Sequence, residues 1–209
     1  ASELYSICRY FDDLADETST DQSEKLKHEF EQICNSAEHP INEFFKNKKL
    51  YSDVGLNGGG WHIHKQGGKL NTHLDYSIHP KLGLQRKLNI IIYLNSNWKK
   101  EWDGNLGLWS NESSKKPGKL VKEIVPQFNR AILFDTTQNS WHGLPNPLKC
   151  PKNEFRKSIA VYYLCEPPSK VDKRGKALFS PTDNQANDKD VLDLIKKRSN
   201  IKTAASTYS

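Results

Sequence analysis

Residues 86–95 carry Leu88, Ile90, Ile91, Ile92, Tyr93 and Leu94, a dense run of β-branched, aromatic and aliphatic side chains. Successive side chains of a strand point to opposite faces, so apolar residues at both parities demand cover on both sides. This run is too dense for a sheet with one face in water. Shorter apolar segments follow along the chain: Leu106 with Leu108, Leu120 with Ile124, then 131–134 and 159–164, each bounded by Gly, Pro, Asn or Asp. Several short strands at this spacing predict a mainly β fold, an all-β sandwich, barrel or jelly roll, rather than a parallel α/β sheet.

The flanks read differently. Asp21 with Glu24 forms a capping-box pattern, after which Leu26, Phe30 and Ile33 recur on one helical face. His39-Pro40 ends that helix, and a second short one begins near Ile41. Past Glu166-Pro167-Pro168 the chain turns polar and irregular, with a last amphipathic helix expected over 187–198 that buries Val191, Leu192 and Ile195. The expected organisation is one domain: a helical region over 1–57, a β core over 58–165 and a C-terminal extension with one helix over 166–209.

At 209 residues and 35% hydrophobic composition the chain suffices for one buried core. No segment approaches the roughly 18 consecutive apolar residues of a membrane span, and no basic region followed by an apolar run opens the sequence. Cys8, Cys34, Cys150 and Cys165 lie far apart without a C-x-x-C pair, which disfavours a zinc knuckle and reads as reduced thiols of an intracellular, cytoplasmic protein. The net charge of +6 is mild and comes largely from Lys-rich segments that read as a solvated face, with a basic patch for an acidic partner as the alternative; nucleic acid is not the expected partner.

One constellation carries chemistry. Residues i and i+2 of a strand share a face, so His73-Leu74-Asp75 aims an imidazole and a carboxylate together with Leu74 turned away. His142, after the apolar run 131–134, supplies a second imidazole from a distant strand. Two histidines and one carboxylate leave positions open on an iron(II) ion. The tripeptide alone is weak: with 7 His and 25 acidic residues in the chain, chance yields about 0.8 instances of H-x-[DE].

Its surroundings raise its weight. After His73-Leu74-Asp75 come Ile92-Tyr93-Leu94-Asn95, then Trp102-Asp103-Gly104-Asn105-Leu106-Gly107-Leu108-Trp109. Next stand Pro126-Gln127-Phe128-Asn129-Arg130, then Ser140-Trp141-His142-Gly143 and finally Arg156-Lys157-Ser158. Over roughly 58–165 this ordered series resembles the 2-oxoglutarate/iron(II) oxygenase superfamily, in particular its prolyl-hydroxylase-like branch. Gly104-Asn105 stands where members usually show two glycines, and the interval from His142 to Arg156 is longer than in several relatives.

The resemblance implies a double-stranded β-helix, or jelly-roll, core with N-terminal helices packed on it. It implies iron(II) held by His73, Asp75 and His142, with no catalytic residue beyond the metal centre. Arg156 resembles the partner of the 2-oxoglutarate distal carboxylate, a role suited to a guanidinium fork. Ser158 shares its face, Tyr93 resembles a phenol that serves the same carboxylate, and Asn89 lies four residues earlier on that strand. His62 and Trp109 are candidate substrate-lining residues, although His62 and His64 read as loop histidines and Trp109, like Trp102, equally as packing. Trp141 reads as packing and Arg130 as a strand cap.

The activity implied is hydroxylation of a C–H bond with dioxygen, coupled to decarboxylation of 2-oxoglutarate to succinate, with ascorbate as an accessory reductant. A peptidyl residue such as proline is the leading substrate, and a free amino acid or biosynthetic intermediate the alternative. A non-catalytic jelly-roll binding module, or a zinc hydrolase on the same ligands, explains the strands but gives no use to Arg156 and Ser158.

Overall fold

A computed structural model describes residues 28, 32, 34–36, 38, 41–43, 49–113, 116–137, 140–171 and 177–199. Among the described residues ten strands are formed: β1 (Tyr51–Ser52), β2 (Gly60–His64), β3 (His73–Leu74), β4 (Gln85–Tyr93), β5 (Leu106–Ser113), β6 (Lys116–Ile124), β7 (Arg130–Asp135), β8 (His142–Gly143), β9 (Arg156–Cys165) and β10 (Leu178–Phe179). They make two five-stranded sheets. One has the order β1-β9-β4-β7, with β2 also paired to β9, and the other runs β10-β3-β8-β5-β6. Every pairing is antiparallel. This is the expected jelly roll.

The density of the 86–95 run now has its reason. On β4, Leu88, Ile90 and Ile92 face outward into a cluster with Ile159, Val161 and Tyr163 of β9, covered by Leu50 and by the helical residues Cys34 and Ile41. The other parity, Ile91 and Tyr93, faces inward against Ala160, Leu106 and Phe134 between the sheets. Both faces of the central strands are therefore dry, as apolar residues at both parities require.

Alternation on β9 sorts its residues the same way. Arg156, Ser158, Ala160 and Tyr162 share the inner parity, and the apolar alternates lie outside. Close approach at the start of β2 rests on Gly59, where a Cβ would stand 2.6 Å from the carbonyl oxygen of Ala160. Residues 41–43 are helical, as expected, whereas the proposed capping box and Leu26, Phe30 and Ile33 lie outside the described residues.

Three expectations are corrected. The strand region extends beyond 58–165 on both sides: β1 pairs with β9, and β10, in the segment read as irregular, pairs with β3. Two-residue strands are too short to leave a periodic signal, and register with a longer neighbour defines them. His62 and His64, read as loop residues, lie on β2, whose polar alternation reflects a face turned to a cavity rather than to solvent. The C-terminal helix, Lys189–Ser199, does not bury its apolar stripe: Val191 and Ile195 are half-buried and Leu192 is 39% exposed. It touches β10 at the edge of the second sheet, which offers too narrow a surface to cover three side chains.

That helix leans on its cap. Asp188 Oδ1 accepts hydrogen bonds from the backbone N–H groups of Asp190 and Val191 at 3.0 and 3.2 Å. Asp188→Ala is expected to cost about 1 kcal/mol, local to the helix. Faster amide exchange confined to 189–199, with the β core unchanged, is the measurement that checks it. Among the described residues Cys34, Cys150 and Cys165 are buried and no disulfide joins any two of them, and no helix is long and apolar enough to cross a membrane.

Candidate metal centre and co-substrate pocket

β3 and β8 are neighbours in the second sheet, and their register sets His73 directly opposite His142. Asp75 follows one residue past the end of β3, so its side chain returns to the face of His73 while Leu74 is buried on the other side. The three ligating groups come together. His73 Nε2 lies 3.6 Å from Asp75 Oδ1, His142 Nε2 lies 3.7 Å from Asp75 Oδ2, and one donor atom from each residue falls within 4.8 Å of the others. All three residues are buried.

The imidazoles are fixed from behind. His73 Nδ1 pairs with the carbonyl of Asn71 at 2.9 Å, and His142 Nδ1 with that of Ser140 at 2.7 Å. A carbonyl only accepts, so each Nδ1 carries the proton and each Nε2 presents its lone pair toward Asp75, the arrangement that orients metal-binding histidines. Aromatic rings hold the planes: Phe179 of β10 stacks on His73 at 5.0 Å, and Phe134 meets His142 edge-on at 4.9 Å. Burial, and then the neighbouring His73, lower the pKa of His142 to about 4 against the opposing pull of Asp75. At Asp75 burial pushes the carboxyl up, but His142, His73 and Arg86 outweigh it and hold the group ionised.

The residues fit a divalent ion. Asp75 Oδ2 is buried without a hydrogen-bond partner, an orphaned charge that a cation would satisfy. Nitrogen and oxygen ligands about 2.0–2.2 Å from one first-row ion stand roughly 3–4 Å apart, close to the 3.6 and 3.7 Å seen here.

The triad opens on a cavity of about 260 Å³ that also takes in Asn89, Arg156, Ser158, Tyr162, His62 and His64. Arg156 is 4% exposed, and among the described residues no carboxylate pairs with it. Its Nε donates to the carbonyl of Gly104 at 2.7 Å, and a terminal nitrogen reaches the Tyr93 hydroxyl at 3.5 Å. Burial lowers the pKa of the guanidinium, with Tyr93 opposing, and raises that of the Tyr93 phenol, with Arg156 opposing. A desolvated cation beside a neutral phenol is a receptor for an anionic group.

Two residues escaped the sequence reading. Tyr162 lines the cavity, and burial, followed by Asp75, raises its pKa well above the ordinary value. Its signal was available, because the parity that carries Ser158 inward carries Tyr162 as well. Arg86 is sandwiched between the rings of Tyr76 and Tyr162, with its Cζ 3.4 and 3.7 Å from their centroids, and donates to the carbonyl of Asn57 and the Tyr76 hydroxyl. No pattern in the sequence marks that contact. Trp109 does not line the cavity: a Cβ on Gly107 would meet its ring at 2.6 Å, so the indole packs closely against that glycine. Trp102 packs edge-on against Trp98 at 5.2 Å, Trp141 is buried, and Arg130 binds the Val125 carbonyl and Gln127.

A β jelly roll with two histidines, one carboxylate and a buried unpaired arginine in one cavity defines a metal-dependent oxygenase scaffold. Residues 59–190 match the family described as the 2OG-Fe(II) oxygenase superfamily, and the chain belongs to it. Its resemblance to the prolyl-hydroxylase type is borne out by its relatives. It is 30% identical over 91 residues to prolyl 3-hydroxylase OGFOD1 of Xenopus laevis, covering 42% of this chain and 17% of that protein. It is 26% identical over 88 residues to the Mus musculus protein of the same name, covering 40% of this chain and 16% of that one. The chain thus spans less than a fifth of the length of these relatives.

Among solved structures it is similar to a Pseudomonas putida prolyl-4-hydroxylase, at 15% identity over 68% of this chain and 65% of that one, with a TM-score of 0.45. It is also similar to a Trichoplax adhaerens prolyl hydroxylase in complex with a hypoxia inducible factor oxygen degradation domain peptide fragment. That likeness has 25% identity over 50% of this chain and 41% of that one, with a TM-score of 0.36.

Proposed function

We propose that the chain hydroxylates a C–H bond of a peptidyl residue such as proline, using iron(II), 2-oxoglutarate and dioxygen, with ascorbate as an accessory reductant. The observation that carries this reading is one cavity holding both His73, Asp75 and His142 and the unpaired Arg156. A binding module or a zinc hydrolase has no use for that arginine. The prolyl-hydroxylase relatives support a proline-containing substrate, and His62, His64 and Leu70, which line the cavity, are only half-buried, so its mouth meets solvent.

Each residue has a distinct share of the work. The triad would hold iron(II) through two Nε2 lone pairs and the Asp75 carboxylate. Together with the keto acid and dioxygen, the bound metal supplies the oxidant. Arg156 and Tyr93 would grip the distal carboxylate and so fix the keto acid in one orientation, with Ser158 and Asn89 on the same walls. Ile91, Leu106 and Leu144 keep the cavity lining apolar and limit access of water near the metal.

The test is turnover of 2-oxoglutarate by the chain with iron(II) and ascorbate, screened against pools of proline-containing peptides and of free amino acids. Succinate release stimulated by a peptide, with that peptide gaining one oxygen by mass spectrometry, is the expected outcome. Stimulation by a free amino acid alone would move the assignment to a small-molecule hydroxylase. Calorimetry showing neither metal nor 2-oxoglutarate binding would leave a non-catalytic jelly roll.

A further inference from the structure

Two imidazoles on β2 border the cavity and have no chemical role so far. His62 and His64 share the inner parity of the strand, while Trp61 and Ile63 face outward and are exposed. The β2–β9 register sets His64 opposite Arg156 and His62 opposite Ser158. Directly opposed residues of an antiparallel pair hold their Cβ atoms about 4.5–5.5 Å apart. Both imidazoles therefore stand beside residues of the co-substrate pocket, and both line it.

Their places along the cavity differ. The register sets His64 opposite Arg156 and His62 one pair further along, and in keeping with it the charges acting on His62 are Arg156 and Asp75, those on His64 Arg156 and His62. His64 therefore belongs to the arginine end. A Cβ on Gly68 would lie 3.3 Å from the Cβ of His64 and 3.8 Å from its Cδ2, so this edge of the ring rests on the glycine turn. The Nδ1 edge, across Cγ, is turned away from that turn, and Nδ1 is buried without a hydrogen-bond partner. Burial, then Arg156, then His62 lower the His64 pKa to about 4, so the ring is neutral at neutral pH and carries one N–H.

We propose, resting on the oxygenase reading above, that His64 is a third donor to the distal carboxylate of 2-oxoglutarate, sharing it with Arg156 and Tyr93. The capacity exists on both sides. A carboxylate offers about four lone-pair sites. Arg156 has committed its Nε to Gly104, and only its terminal nitrogens remain for the ligand. A neutral N–H on the flank opposite Tyr93 completes the grip without adding a second buried positive charge beside the guanidinium.

Calorimetry on the Mn(II)-loaded protein tests this without turnover. The titrants are 2-oxoglutarate and 2-oxobutyrate, which presents the same keto-acid end but has no distal carboxylate. His64→Leu is expected to weaken 2-oxoglutarate binding about tenfold and leave 2-oxobutyrate unchanged. His64→Asn, with an amide group near the position of Nδ1, recovers most of the loss. If His64→Leu proves unfolded in a thermal melt, His64→Ala stands in for it. Unchanged 2-oxoglutarate affinity in the folded variant overturns the proposal, as does an equal loss for both keto acids. Wild-type protein that binds Mn(II) but neither keto acid overturns the oxygenase reading itself, a failure distinct from that of His64 alone.

Discussion

Asp75→Ala is expected to reduce 2-oxoglutarate turnover to background and divalent-metal affinity by at least about 100-fold, since even residues behind the ligands are worth 10–100-fold at such centres. Without the carboxylate, two neutral imidazoles remain, and neither offsets the charge of the ion. The metal-free fold should survive. In the metal-free protein burial works against the Asp75 carboxylate while His142, His73 and Arg86 favour it, and its Oδ2 has no hydrogen-bond partner, so only the support of those neighbours is lost with it.

This gives a signature that simple unfolding cannot imitate. Metal-free Asp75→Ala should still unfold in one cooperative transition. Added Mn(II) should raise the wild-type melting temperature, by the equivalent of about 2.7 kcal/mol when the free metal is 100 times its dissociation constant. The variant should not respond. Thermal melts with and without Mn(II), read beside succinate release, check both halves. A variant that keeps either the metal-dependent shift or the turnover would remove Asp75 from the centre.

The contrast between what the sequence displays and what it hides follows from length and parity. The six apolar residues within the 86–95 run announce a strand covered on both sides, and the outer and inner clusters of β4 supply that cover. His73-Leu74-Asp75 was legible for the same reason: i and i+2 share a face, so a local spacing already contains the local geometry. His142 needed the ordered motifs around it, because nothing within its own neighbourhood states that β8 lies beside β3.

Where local information was thin, the reading failed. β10 contributes Phe179 to the stack on His73 through two residues only, too few for any periodicity. His62 and His64 alternate with Trp61 and Ile63, and that alternation is equally that of a strand or of a polar loop until β9 fixes the register. Trp109 illustrates the reverse: an aromatic residue in a recognisable motif is consumed by packing against Gly107.

The second large effect concerns the other end of the cavity. Arg156→Ala is expected to weaken 2-oxoglutarate binding by about 2–5 kcal/mol, a factor of roughly 30 to several thousand, while Mn(II) affinity stays near wild type. The separation follows from the partners: Arg156 reaches Gly104 and Tyr93, whereas the triad leans on Asn71 and Ser140. Arg156→Lys should recover little of the loss, because an ammonium on a flexible stem cannot keep the Gly104 bond and present a planar pair of donors to a carboxylate at once. The size of the effect comes from burial. An exposed arginine would lose most of its attraction to solvent screening, but this one is 4% exposed and has no acidic partner among the described residues, so an incoming carboxylate meets an undivided charge. Calorimetric titration of the Mn(II)-loaded variants with 2-oxoglutarate measures the difference directly. Undiminished affinity in Arg156→Ala, with Mn(II) still bound, would mean that some other cation holds the distal carboxylate and that the buried guanidinium serves Gly104 and Tyr93 alone.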